Sequence, residues 1–349
     1  MKNKYELSIC IPSNGKFEES RDSINSAINF CKLTSSELTI SDNSNDTKKN
    51  YHWKKFQNKN IKLLKSNKKN STENWYNSIK NASGIYTGIL SDDDIIINIS
   101  NPETEYKNIY NHNILGIKPI IKLWNENVGH YATNIFNLDE DNSFERVKSY
   151  TKLCNGNNTT LYSFFNTDIL KEIMELALFH PTRGGYSDWA FVLGLVSSGK
   201  ILHDSSKVLI YKNNNWFGSE DFIKRQKISL YEKCGLSERG ILFDLLFRAL
   251  DAFIYVVRKS SPVSRKEIIR TGKLIFNNLI LSFLGFFENN KKEFTDNEKK
   301  LISKLNSSNS FEKNIDIALD ILEIFDSDLK NKYLKFYDIA LENDWGIVT

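Results

Sequence analysis

Three consecutive aspartates, Asp92, Asp93 and Asp94, follow an apolar segment that ends at residue 90. Adjacent carboxylates repel one another, so such a cluster costs free energy unless a cation or hydrogen bonds compensate. Carboxylate oxygens favour Mg²⁺ or Mn²⁺, and such an ion needs few protein ligands when a substrate diphosphate supplies the others. The alternative is a solvated acidic turn, because short motifs are often coincidental. The position just after a predicted strand favours the metal site.

Two further polar groups follow apolar segments nearer the N-terminus. Asp42 follows the second such segment, and its carboxylate could accept a hydrogen bond from the ring N–H of a pyrimidine base. An Asx turn at the end of the strand is the alternative. Pro12, Ser13, Asn14 and Gly15 follow the first segment, where their backbone and side chains could line a nucleotide pocket. The same four residues are also compatible with an ordinary loop.

Short apolar segments alternate with helical patterns over the first hundred residues. Strands are predicted at residues 7–12, 37–41, 60–65 and 85–90, and helices at residues 19–32 and 73–82. This alternation is typical of a parallel α/β sheet with helices on its faces. Ligands of such sheets bind beyond the carboxyl ends of the strands, and all three polar groups follow such ends. We therefore predict a Rossmann-like α/β fold.

Strand patterns stop at about residue 219. Before that point, strands are predicted at 114–123, 128–136, 201–203 and 207–211, and a helix at 187–198. After it, long helices are predicted at 240–257, 265–287 and 315–324. We place the domain boundary near residue 216, with an α/β domain at 1–215 and a helical domain at 216–349. The apolar face of the helix at 274–287 would pack within its own domain, dock on a membrane or form a homodimer.

The charge balance excludes one class of protein and indicates a compartment. The chain has 349 residues, with 47 basic against 43 acidic side chains and a net charge of +4. This argues against a nucleic-acid-binding protein that works by bulk positive charge. The N-terminus has no signal-peptide pattern, and the longest apolar segment, residues 279–287, falls short of the ~20 residues that span a bilayer. We expect a cytoplasmic protein, at most peripheral on the inner face of the membrane.

A lysine-rich segment covers residues 48–80, which hold ten lysines and one acidic residue, Glu73. The simplest interpretation is a solvated surface. The alternative is a surface for an anionic lipid or substrate. The excess of Asn and Lys over the whole chain indicates an AT-rich bacterial genome.

The segments LSICIPSNG, ELTISDNSND and GIYTGILSDDDI resemble, in order and spacing, the family 2 glycosyltransferases of GT-A fold. The resemblance covers roughly residues 5–215. It implies that the first loop, with Pro12, Ser13 and Asn14, holds the nucleotide together with Asp42. Asn67 lies where the family often places another residue of the nucleotide pocket.

The resemblance also assigns roles within the aspartate cluster. It implies that Asp92 lies towards the ribose, and that Asp93 or Asp94 binds Mn²⁺ or Mg²⁺ on the diphosphate. The first loop of the family usually reads closer to Thr-Tyr-Asn than to the Ser-Asn-Gly found here. The individual contacts of this loop are therefore left open.

A later acidic residue acts as the catalytic base in this family. The sequence GGYSDW at residues 184–189 fits the pattern, which makes Asp188 the implied base. The alternative is that Asp188 only stabilises the N-terminus of its helix electrostatically. Ser187 replaces the more common acidic residue before the base.

Three further residues are weaker candidates for contacts with the acceptor or diphosphate. They are Tyr186, Trp189 and Lys212, the last at a position that is often basic in the family. Trp189 and Trp216 could stack on a sugar, although Trp189 also suits a core.

The implied reaction is an inverting transfer of a sugar from a nucleotide sugar to a hydroxyl group. The suitability of Asp42 for uracil favours a UDP-sugar, and the acceptor would be a glycan or a lipid-linked glycan. Bacterial capsule or O-antigen synthesis is the implied context. Two alternatives are open: a nucleotidyltransferase acting on sugar phosphates and a non-catalytic nucleotide- or carbohydrate-binding scaffold. The first would normally carry a Gly-rich, basic phosphate loop, which residues 12–16 match poorly.

Overall fold

The strands and helices are taken from a computed structural model, which describes residues 5–67, 70–110, 114–307 and 310–342. The strands are β1 Tyr5–Ser13, β2 Glu37–Asp42, β3 Ile61–Lys65, β4 Gly84–Ile89, β5 Ile95–Asn98, β6 Ile114–Asn125, β7 Gly129–Asn134, β8 Phe164–Asn166 and β9 Lys200–Lys212. The helices up to residue 198 are α1 Phe17–Thr34, α2 Thr47–Lys54, α3 Ser71–Ile79, α4 Tyr106–Tyr110, α5 Ser143–Leu153, α6 Thr167–Ala177 and α7 Asp188–Ser198. The later helices are α8 Glu220–Glu232, α9 Asp244–Val257, α10 Arg265–Asn289, α11 Asp296–Ser307, α12 Phe311–Leu322 and α13 Leu329–Glu342.

The strands form one sheet in the order β3-β2-β1-β4-β8-β6-β9-β5, with β7 paired to β6. The pairs β1–β2, β1–β4, β2–β3 and β6–β9 are parallel, and β8 runs antiparallel to both β4 and β6. Strands β1 to β4, β6 and β9 therefore all run in one direction. Their carboxyl ends share one edge of the sheet, where ligands of such folds bind.

The helices pack on the sheet through the apolar faces that the sequence predicts. In α1, Ile24, Ala27, Ile28 and Cys31 are all buried. The helix begins where the Glu19 carboxylate accepts a hydrogen bond from the backbone N–H of Lys16 at 2.7 Å. This bond satisfies a backbone donor that the first turn leaves unpaired.

The second half of the sheet differs in detail from the prediction. The two strands predicted at 201–203 and 207–211 are one continuous strand, β9, whose register with β6 shifts at Pro119 and Ile120. A bulge of this kind adds polar residues within a strand and interrupts its apolar pattern. The short strands β5 and β8 were not predicted.

The chain divides into two units. The first comprises Met1–Leu178 and Gly199–Phe217, and the second Phe179–Ser198 and Gly218–Thr349. The sheet lies in the first unit. Helix α7 belongs to the second, together with the long helices near the predicted positions 240–257, 265–287 and 315–324.

The second unit is helical and has its own apolar core. Helix α9 is buried on nearly all sides, and Phe253 and Phe276 contact each other and Phe311. The predicted class, an α/β sheet flanked by helices with a C-terminal helical region, is confirmed. In the part of the chain that the structure describes, every helix is too short or too polar to cross a membrane.

Candidate active site

The first aspartate of the cluster fixes the loop after β1. Asp92 Oδ2 accepts hydrogen bonds from Ser13 Oγ at 2.5 Å, the Asn14 N–H at 2.9 Å and the Gly15 N–H at 2.8 Å. Bonds from backbone N–H groups to an ionised carboxylate are among the strong ones. The loop after β1 is therefore held against the loop after β4, as the adjacency of these parallel strands requires.

A buried lysine lies beneath this loop. Lys49 Nζ lies 2.9 Å from Asp42 Oδ1, and it donates to Ser13 Oγ at 2.5 Å and to the Gly15 carbonyl at 2.7 Å. The side chains of Asp42 and Lys49 are each 1% exposed. The other oxygen of Asp42 accepts from Asn50 Nδ2 at 3.2 Å. In this structure the predicted base-contacting carboxylate is thus already paired, by a lysine that motif reasoning did not single out.

The other two aspartates lie in different environments. Asp94 is buried, and its Oδ1 accepts from the Lys212 N–H at 2.8 Å. Its Oδ2 meets no hydrogen-bond partner among the described residues. Burial, followed by the Asp93 carboxylate, raises the pKa of Asp94 well above its ordinary value. Asp93 is exposed, yet the protein atoms around its carboxyl group and the charge of Asp92 raise its pKa too.

A cavity of about 550 Å³ opens at the shared edge of the sheet. Its lining residues follow the strand ends or lie on adjacent helices: Pro12, Gly15, Glu19, Trp75, Ser91, Asp92, Asp93, Glu126, Lys212 and Asn214. The cavity therefore combines carboxylates, one ammonium group and one indole ring. Glu126 and Trp75 were not predicted, because neither lies in a recognisable motif. Glu126 follows β6, a strand whose position beside β9 depends on long-range pairing.

The cavity includes part of the predicted nucleotide and metal set. Pro12, Asp92, Asp93 and Lys212 line it, whereas Asp94 and Asp42 are buried beside it. Asn67 is exposed and does not line the cavity. Among the described residues, no three or more His, Cys, Asp or Glu side chains form a group that could hold a metal ion by themselves. Asp93 is the predicted metal ligand that faces the cavity.

The predicted base lies in the second unit. Asp188 begins α7 and is half-buried, directly after a turn in which Ser187 donates from its N–H and Oγ to the Gly184 carbonyl at 3.1 and 2.9 Å. Gly184 is required there, because a Cβ atom would lie 2.4 Å from the Tyr186 ring. The base assignment stays a prediction.

The two aromatic neighbours of Asp188 are held within the second unit. Tyr186 is 5% exposed and stacks on Tyr231 with ring centroids 4.6 Å apart, so its ring is part of the packing. The Arg248 guanidinium lies over the half-buried Trp189 ring at 5.2 Å. These contacts favour a positioning role for both aromatic rings.

Comparisons with known proteins give similarity to solved structures only. No protein-family model matches the chain, and no curated protein sequence matches it. The crystal structure of S. aureus TarS 1-349 is similar at 15% identity, with 96% of this chain and 90% of that chain covered and a TM-score of 0.49. The same fragment in complex with UDP-GlcNAc is similar at 12% identity, with 96% and 90% covered and a TM-score of 0.49. Both TM-scores are below 0.5.

Proposed function

We propose that this protein is an inverting glycosyltransferase that moves a sugar from a nucleotide sugar, with UDP favoured, to a hydroxyl group of a glycan or lipid-linked acceptor. The observation that supports it best is the cavity at the carboxyl ends of β1, β4, β6 and β9. Asp92, Asp93 and Lys212 line this single cavity. Carboxylates for a divalent ion and an ammonium group for phosphate oxygens are what a nucleotide diphosphate requires.

The residues of the cavity divide the work of donor binding. Asp92 shapes the loop after β1, whose backbone then borders the nucleotide. Asp93 is the carboxylate that would hold Mn²⁺ or Mg²⁺ together with oxygens from the diphosphate. The ion, when bound, would stabilise negative charge on the leaving diphosphate. Lys212, at the end of β9, would pair with the same phosphate oxygens. Asp94 holds this strand end in place by accepting a hydrogen bond from the Lys212 N–H.

The transfer requires a base. Asp188, the residue that the family resemblance implies, would take the proton of the acceptor hydroxyl as its oxygen bonds to the anomeric carbon. The bond from that carbon to the phosphate oxygen breaks, and the diphosphate leaves with the electron pair. One such displacement inverts the anomeric configuration. Surface polysaccharide assembly is the context that the resemblance implies.

The test is release of nucleoside diphosphate from a panel of UDP-, dTDP- and GDP-sugars with Mn²⁺ or Mg²⁺. We expect one donor to be turned over, and Asp93→Asn and Asp188→Asn each to lower turnover at least a hundredfold. The exposed Asp139→Asn on the first unit is the matched control and should be unaffected. The base acts on the acceptor hydroxyl and not on the nucleotide. Asp188→Asn should therefore keep the wild-type affinity for UDP.

Glu126 provides the decisive comparison for the base assignment, because its carboxylate lines the cavity without a role in donor binding, whereas Glu19, the other glutamate there, caps α1. Retained turnover in Asp188→Asn, with loss in Glu126→Gln, would overturn Asp188 as the base. Nucleotide binding without any turnover of a donor would support the scaffold alternative instead.

A further inference from the structure

Four exposed aromatic residues lie beside the cavity in the first unit. They are Trp124, Tyr131, Trp216 and Phe217, which are 40%, 37%, 37% and 37% exposed. We call these four residues the aromatic platform. Trp124 and Tyr131 lie on the β6–β7 hairpin, and the other two follow β9. Exposed clusters of large rings are uncommon on soluble proteins and often mark a binding surface.

Hydrogen bonds and one ring contact hold the backbone of Trp124 and the rings of Tyr131 and Phe217 in place. The buried Asn213 donates from Nδ2 to Tyr131 Oη at 2.5 Å and from its N–H to the Trp124 carbonyl at 2.7 Å. The rings of Tyr131 and Phe217 lie 4.9 Å apart. Rings that are already ordered lose little conformational entropy when a ligand stacks on them.

Short segments and hydrogen bonds link the platform to residues that line the cavity. Asn213 lies between Lys212 and Asn214, which both line the cavity. Asn214 Oδ1 accepts from Asn125 Nδ2 at 3.2 Å and from the Glu126 N–H at 3.1 Å. These bonds link the turn that carries Lys212 and Asn214 to the β6–β7 hairpin, which carries two of the aromatic rings.

We propose that the aromatic platform binds a pyranose ring of a glycan acceptor and delivers it to the cavity. This inference rests on the proposed glycosyltransferase function. A pyranose offers an apolar face of C–H groups and a rim of hydroxyl groups, which match an aromatic ring flanked by amides and a carboxylate. The hairpin region 121–134 holds one lysine, Lys122, and one acidic residue, Glu126, so its charge gives no preference for an anionic membrane.

The experiment compares glycan retention with nucleotide binding. Wild-type protein, with UDP and Mn²⁺ present, is applied to an array of bacterial and synthetic pyranosyl oligosaccharides, and UDP affinity is measured separately by calorimetry. We expect retention on at least one glycan class, at least tenfold weaker binding in Tyr131→Ala and Trp216→Ala, and nearly full binding in Tyr131→Phe, which keeps the ring. Val128→Ala, at an exposed apolar position of the same hairpin outside the platform, is the control.

Three outcomes would overturn the inference. The first is an array with no retained glycan, and the second is retention that the alanine variants leave unchanged. The third is binding to phosphatidylglycerol vesicles that the same variants abolish, which would assign the platform to a membrane. If UDP binding and donor turnover are normal in any of these three cases, the proposed function stands and only the platform inference fails. If wild-type protein neither binds UDP nor turns over a donor, the proposed function itself is contradicted.

Discussion

Neighbouring residues of one acidic cluster have separate roles in this molecule. Asp92 binds the loop after β1, Asp94 binds the end of β9, and Asp93 faces the cavity. Asp92 and Asp94 therefore hold the loop after β1 and the end of β9 against the loop after β4, while Asp92 and Asp93 line the cavity.

The first prediction concerns metal-dependent nucleotide binding. Asp93→Asn should weaken UDP binding in Mn²⁺ at least tenfold and leave the weak metal-free binding unchanged, as calorimetry would show. Because the pKa of Asp93 is raised, the wild-type carboxyl group takes up a proton at a higher pH than an ordinary aspartate. The Mn²⁺-dependent part of the affinity should therefore fall as the pH falls through that raised pKa. An unchanged affinity in Asp93→Asn would remove it from the metal site.

The second prediction concerns a lysine inside the sheet. Lys118 in β6 is fully buried, its Nζ has no hydrogen-bond partner among the described residues, and its ammonium lies 4.8 Å from the centre of the Phe136 ring. Burial lowers the pKa of Lys118 to about 7. In the unfolded chain its pKa is close to the ordinary value of about 10.4. Stability is therefore lost as the pH falls from about 10 towards 7, because the folded state resists protonation.

Lys118→Met should remove this cost. We expect it to raise the free energy of unfolding at pH 7 by about 2–4 kcal/mol, with the gain reduced by loss of the contact with Phe136. Urea denaturation at pH 7 and pH 10 would measure it, and the difference from wild type should shrink at pH 10. A variant that is less stable than wild type at pH 7 would contradict the lowered pKa.

At the scale of elements, Lys49 joins three parts of the fold. It lies on α2, pairs with Asp42 at the end of β2, and donates to the loop after β1. Removing one member of a buried ion pair leaves an uncompensated charge and costs about 3–5 kcal/mol. We expect Lys49→Met to lower stability by this amount in urea denaturation. The double variant Lys49→Met/Asp42→Asn should recover part of the loss, and an Asp42→Asn change that adds to the loss instead would contradict the pairing.

The elements also show how far sequence reasoning reaches. Strands β1 to β4 were predicted because each is a local apolar segment that ends in polar residues. The aspartate cluster was found in the same way, because it comes soon after β4 in the sequence. The pairing of Asp42 with Lys49 was not, because it depends on how α2 packs across the ends of two strands. Glu126 and Tyr131 gain their positions from the β6–β7 hairpin and its pairing with β9. Tyr186 was expected near a ligand and is instead stacked on Tyr231, a distant residue in the sequence, and no local pattern encodes such a contact.

At the scale of the whole molecule, the second unit has a polar centre of its own. Asp251 is fully buried in α9, accepts from Tyr333 Oη at 2.8 Å, and lies 3.0 Å from His180 Nε2. His180 Nδ1 accepts from the Arg183 N–H at 3.0 Å. These contacts connect α9 and α13 to the segment that leads to Asp188.

The fourth prediction follows from this arrangement. Asp251→Ala leaves the buried Tyr333 hydroxyl without its acceptor, which costs about 1–3 kcal/mol, and it removes the carboxylate that lies 3.0 Å from His180 Nε2. Amide hydrogen exchange should accelerate in α9, α13 and residues 180–187, with a smaller effect in Asp251→Asn. The amides of β1 and β4 should keep their protection, since they belong to the other unit. Uniform acceleration throughout both units would contradict a separate centre.

Strand β3 gives the lysine-rich segment a physical role that needs no ligand. Its one neighbour among the described strands is β2, so its outer row of backbone N–H and C=O groups is unpaired within the sheet. Such a row is a template on which a second molecule can add a strand and begin to aggregate. The exposed Lys59 and Lys65 lie just before β3 and at its end, whereas the Lys62 ammonium within the strand pairs with Glu37 at 2.6 Å. Two molecules that approach through this edge bring Lys59 and Lys65 of each together, and the repulsion between like charges opposes the addition of a strand.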